Sequence, residues 1–115
     1  MKLKEGWNLV VGLEIHVQLA SETKIYCADP VQFGAPPNSL VSPITLGHPG
    51  TLPTLNAACV ELAIKMGLAL NCQIAEYGYF ARKNYFYPDL PKGYQTSQHT
   101  TPIAHDGELL LRMGE

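Results

Sequence analysis

A chain of 115 residues, 46% of them hydrophobic, has room for one domain with a modest core. Its net charge of −2 excludes a protein that coats nucleic acid through charge alone, and leaves open contact with RNA through a small site. No stretch approaches the roughly 20 apolar residues of a membrane span, and the charged first residues do not read as a signal peptide, so none is expected.

Residues 8–20 alternate almost without fault. Val11, Leu13, Ile15, Val17 and Leu19 point one way, and Gly12, Glu14, His16 and Gln18 the other, which predicts a long strand with one buried face. Cys27, Cys59 and Cys72 include no close pair and fit reduced thiols in a cytoplasmic protein. Across residues 29–53, repeated Pro and Gly predict a long structured loop. A helix is expected over 55–70, capped by Thr54 and ended by Asn71, with Leu55, Ala58, Cys59, Leu62 and Met66 as its apolar stripe. Residues 74–87 are aromatic-rich and predict one or two strands, followed by a turn-rich loop over 88–93. His105-Asp106-Gly107 between the runs 102–104 and 108–112 is a hairpin signal. The order predicts an α+β fold, and the sequence stops just after that second hairpin strand, as an interrupted protein would.

Glu14 and His16 are the residues most suited to chemistry. Two apart on a strand, they leave the same face roughly 6–7 Å apart at Cα. A carboxylate suits Mg²⁺, and an imidazole suits Zn²⁺ or Mn²⁺ better. The same spacing also describes a solvated polar face. Arg82-Lys83-Asn84 sets basic charge beside Phe80, Tyr85, Phe86 and Tyr87. In a strand, Lys83, Tyr85 and Tyr87 share one face and Arg82, Asn84 and Phe86 the other. Lys is a point charge for phosphate and an aromatic face stacks on a base, although basic stems along a sheet rim look alike. Gly47-His48-Pro49-Gly50 and Pro91-Lys92-Gly93 match no P-loop and read as turns.

Taken together, Val11-Gly12-Leu13-Glu14-Ile15-His16-Val17-Gln18-Leu19, Leu46-Gly47-His48-Pro49-Gly50-Thr51-Leu52-Pro53, the helix end at 63–72, and the run from Arg82 through Pro88-Asp89-Leu90-Pro91-Lys92-Gly93 to Gln95 resemble the B subunit family of tRNA-dependent amidotransferases. The archaeal E subunit shares the first of these signatures. The resemblance runs from about Trp7 to Leu110 and makes residues 1–115 the N-terminal part of the catalytic domain. It implies a mainly antiparallel sheet with a helix packed on one face, like glutamine synthetase and guanido kinases.

The implied reaction is ATP- and Mg²⁺-dependent. The side-chain carboxylate of Glu-tRNA(Gln) or Asp-tRNA(Asn) is phosphorylated, then amidated with ammonia that the A subunit releases from glutamine. The implied partners are the A and C subunits and misacylated tRNA, with no membrane involved. Glu14 and His16 match the family's metal positions, and Lys83 its proposed phosphate-binding lysine. Many members carry four zinc-binding cysteines; here Cys27 matches the first, while Asp29, Ser42 and Thr45 stand at the others, so no structural zinc is expected. Ala81 replaces a common Asp. Other metal-binding carboxylates of relatives lie beyond residue 115, so this stretch alone is expected to be inactive. The rival expectation is a non-catalytic RNA-binding or assembly module that kept the sheet and lost the chemistry.

Overall fold

The computed structural model describes residues 4–110. Its elements in chain order are α1 (Pro43–Leu46), α2 (Ala57–Ala69), β1 (Gln73–Ile74), β2 (Ala81–Asn84), β3 (Tyr94–Ser97) and β4 (Ala104–His105). The strands form two antiparallel pairs, β1 with β4 and β2 with β3. This is a small α+β arrangement, as the order of sequence signals predicts. α2 packs on β1 and β4, where Gly67 lets the helix approach closely. A Cβ added there would lie 2.8 Å from Ile74 Cδ1 and 3.0 Å from the Ala104 Cβ.

The helix starts later than expected. Asn56, not Thr54, is the cap, because its Oδ1 accepts from the Ala58 and Cys59 amides at 2.9 and 3.4 Å. Asn71 ends the helix as expected. With a φ of 54° it takes the left-handed turn, and the Cys72 amide donates to the Gly67 carbonyl at 2.9 Å, closing a Schellman motif. Cys59 is the most deeply buried side chain, 1% exposed, whereas Leu55 and Met66 of the expected stripe are exposed.

The loop over 29–53 holds one short element. Ser42 precedes Pro43 at the first position of α1, and Gly47 ends α1 with a φ of 68°. The segment over 88–93 is the turn of the β2–β3 hairpin, closed by Gly93 donating to the Leu90 carbonyl and Tyr85 to that of Gly93, both at 2.9 Å.

Two expected elements are corrected. Residues 8–20 form no strand, and most of their apolar side chains are exposed, Leu13 at 89% and Ile15 at 80%, with Leu19 half-buried. The physical reason is that alternation sets which side chains share a face, but a strand needs a ladder partner. None pairs with this stretch among the described residues. The hairpin at 105–107 also fails as drawn, since β4 pairs with β1 and the Glu108 amide donates to the Leu70 carbonyl at 2.8 Å. Asp106 takes a φ of 53°, but Gly107 does not follow into the left-handed region that a two-residue turn of this kind needs. Residues 111 and 112 of that second run lie outside the described residues. Among the described residues no helix is long and apolar enough to cross a membrane.

Candidate functional site

Glu14 and His16 come together. His16 Nε2 lies 3.5 Å from Glu14 Oε1, and the side chains are 85% and 87% exposed, respectively. The i, i+2 spacing thus puts both groups on one side, although it does not enclose them. Neither lines the cavity of about 640 Å³ or the smaller one of about 270 Å³. Two cis ligands at about 2.1 Å from one cation lie about 3 Å apart, so this pair needs little movement to share one. It would supply two ligands only. No cluster of three or more His, Cys, Asp or Glu side chains suited to a metal occurs among the described residues.

Lys83 is an exposed residue of β2, opposite Gln95 on β3. Strand alternation sends its neighbour Arg82 to the other face, and there the structure gathers more than the sequence predicts. The Arg82 guanidinium lies 4.5 Å from the centre of the Tyr94 ring, and its Nη2 donates to the Thr51 carbonyl at 3.1 Å. Lys92 Nζ lies 5.2 Å from the same ring. Two cations therefore share one aromatic ring, at the edge of a cavity of about 640 Å³.

That cavity is the concave feature missed by sequence reasoning. Arg82, Lys92 and Tyr94 form one side, Lys24, Cys27 and Thr45 another. Val17, Gln18 and Leu19 also reach it, so Glu14 and His16 stand on the stretch that leads to its wall. Gly47 accounts for the close approach of the loop. A Cβ there would meet Lys92 Cβ and the Tyr94 hydroxyl, each at 3.1 Å. The available signals were the alternation that separates Arg82 from Lys83 and the glycines around His48. What they could not supply was the register that sets Arg82 opposite Thr96 and next to Tyr94.

Burial raises the Tyr26 hydroxyl above its ordinary range; its ring packs edge-on against Phe80 with centroids 5.0 Å apart. The Asp29 carboxyl is held below its ordinary range, chiefly by the Thr45 hydroxyl that donates to it. Lys83 makes no ion pair or hydrogen bond with Glu14 or His16 among the described residues.

Comparison with known proteins identifies the family. The chain is 58% identical over 107 residues to the B subunit of the aspartyl/glutamyl-tRNA(Asn/Gln) amidotransferase of Thermosynechococcus vestitus, covering 93% of this chain and 21% of the relative. The protein of that name from Corynebacterium efficiens is 62% identical over 105 residues, 91% of this chain and 21% of its own length. The one from Salinibacter ruber is 56% identical over 111 residues, 96% and 22%. The chain thus spans about a fifth of the length of these relatives. Residues 9–115 match the family model described as the GatB/GatE catalytic domain, and the chain belongs to that family.

Proposed function

We propose that this chain is the N-terminal part of the catalytic domain of a tRNA-dependent amidotransferase subunit. The observation that carries the reading is 56–62% identity, over 91–96% of the chain, to proteins named as the B subunit of such an enzyme. The domain in this reading is an antiparallel sheet with helices on one face, of the glutamine synthetase and guanido kinase type. The protein works in the cytoplasm with A and C subunits on misacylated tRNA.

The reaction balances in two steps. A side-chain carboxylate oxygen of Glu or Asp esterified to tRNA attacks the γ-phosphorus of ATP; ADP leaves and an acyl phosphate forms. Ammonia derived from glutamine then attacks the acyl carbon, and phosphate leaves with the former carboxylate oxygen. Glu14 and His16 would hold the divalent ion, Mg²⁺, through Oε1 and Nε2. Bound there, the ion would neutralise phosphate charge. Lys83 supplies a point charge to the transferring phosphoryl group, and its exposure leaves the ammonium free to reach a ligand.

The test uses the intact protein assembled with its A and C partners. Lys83→Ala is expected to lower tRNA-dependent ATP hydrolysis and amidation by on the order of 10²–10³, with glutaminase activity much less affected. A folded, assembled Lys83→Ala variant with ATP turnover within a few-fold of the parent removes Lys83 from the catalytic set. A loss in Arg82→Ala instead would place the phosphate on the cavity face of β2.

A further inference from the structure

The residues around Asp29 form a connected cluster that the proposed reaction does not use. The chain doubles back over 22–31. Lys24 and Val31 donate their amides to the Asp29 and Glu22 carbonyls, both at 2.9 Å, and Thr23 bridges to Pro30. This turn sets Cys27 and Asp29, 6% and 8% exposed, against the start of α1. Asp29 Oδ2 accepts from the Ser42 amide at 2.9 Å and from the Thr45 hydroxyl. Thr45 Oγ1 also lies 3.2 Å from Cys27 Sγ. A hydroxyl has one proton, and Thr45 gives it to Asp29, so the Cys27 thiol is the donor in the second contact. The chain of donors runs from thiol to hydroxyl to carboxylate. Lys24 Nζ, which donates to the Leu40 carbonyl, lies 3.9 Å from the same carboxylate oxygen.

This donor set does not fit the structural zinc that many relatives of this family carry. Zinc takes thiolate sulfur, imidazole nitrogen or a free carboxylate oxygen. Cys27 is the cluster's one soft ligand, and its proton is engaged. Asp29 Oδ2 is occupied by two donors with an ammonium nearby. Ser42 and Thr45 offer hydroxyls, which are poor zinc ligands.

We propose that Asp29 closes the loop between residues 22 and 47 as a metal-independent clasp, in which a buried carboxylate, a hydroxyl and a thiol take over the role of a zinc ion. The clasp fixes one wall of the cavity, because Lys24, Cys27 and Thr45 all line it. It does not depend on the catalytic roles given to Glu14, His16 or Lys83.

An acid limb follows. The folded-state carboxyl of Asp29 lies below its ordinary range, so its contribution is present above the unfolded value and is lost as pH falls through the folded value. The charged and titratable groups facing it are Lys24 and Cys27, and neither supplies a like negative charge while Cys27 is a thiol.

The test has two readouts on the intact protein. After dialysis against a chelator, zinc content is expected to be the same in the parent and in Cys27→Ser. One equivalent of zinc in the parent that Cys27→Ser removes overturns the proposal. In hydrogen exchange, Thr45→Val and Asp29→Asn are each expected to speed opening at the Lys24, Val31 and Ser42 amides by at least about tenfold, the lower end of the loss expected for hydrogen bonds to a charged group. Relative to the α2 amides, the parent's protection is expected to fall in acid, and Asp29→Asn is expected to lack that limb. Unchanged exchange in Thr45→Val overturns the proposal even if Asp29→Asn fails to fold.

Discussion

Asn56 joins the helix to the loop that walls the cavity, and the two halves of its amide do different work. Oδ1 caps α2 through Ala58 and Cys59, while Nδ2 donates to the Thr23 carbonyl at 3.1 Å and the Thr23 hydroxyl at 2.7 Å. Asn56→Ala removes both. Loss of a cap costs about 1 kcal/mol, and each neutral hydrogen bond contributes about 0.5–1.5 kcal/mol. Thr23 is half-buried, so water replaces part of what it loses. The expected total is therefore about 2 kcal/mol, or roughly 30-fold in local opening. Asn56→Asp keeps the acceptor and adds a favourable charge at the helix start, but it has no N–H for the Thr23 carbonyl. Its expected cost is about 1 kcal/mol, roughly fivefold. Hydrogen exchange at the amides of Ala63 and Ile64, with Thr54 as the loop reporter, measures both variants. The Thr54 amide donates to the Tyr26 carbonyl at 2.8 Å and so senses the junction directly. Exchange in Asn56→Asp equal to that of the parent would refute the tether, leaving only the cap.

Two glycines give further tests. Gly47→Ala forces a side chain into a φ of 68° and against Lys92 and Tyr94, so a loss of about 1–3 kcal/mol is expected in urea unfolding; a neutral result would mean that the loop is not held against β3. Gly67→Ala gains about 1 kcal/mol in helix propensity but crowds Ile74 and Ala104, and overpacking costs about 1–3 kcal/mol. A net loss is expected, partly rescued by Ile74→Val, and a stabilised Gly67→Ala would show that β1 moves aside freely.

Elements whose signals are local were legible in the sequence. α2 carries its own periodicity, its Asn71 stop and a neighbouring cap residue, so only its first turn was misplaced. The error arose because Thr54 and Asn56 are both good caps, and the choice between them was made by Thr23, 33 residues away from Asn56. The loop after β2 was legible for the same reason, since Pro and Gly fix its turns wherever the strands go. The β1–β4 pair was not, because its partners lie on either side of the β2–β3 hairpin and no short pattern links them. At 104–107 the local turn signal was outcompeted. β4 found β1, and the backbone after Asp106 was drawn to the Leu70 carbonyl at the end of α2.

The candidate site divides along the same line. A spacing of two residues predicts that Glu14 and His16 share a side, while their 3.5 Å approach is a finding of the structure. What encloses them is a non-local question. Leu13 and Ile15 of the same stretch are themselves exposed, so no packed core among the described residues fixes the pair. Arg82 and Lys83 show the converse. They are adjacent in sequence, and strand alternation alone sends one to the cavity and the other to solvent. The two basic neighbours, assigned to different faces from the sequence, stand on different faces of the folded strand as well. Separate substitution of Arg82 and Lys83, rather than of both together, is what distinguishes a phosphate at the cavity wall from one on the exposed face.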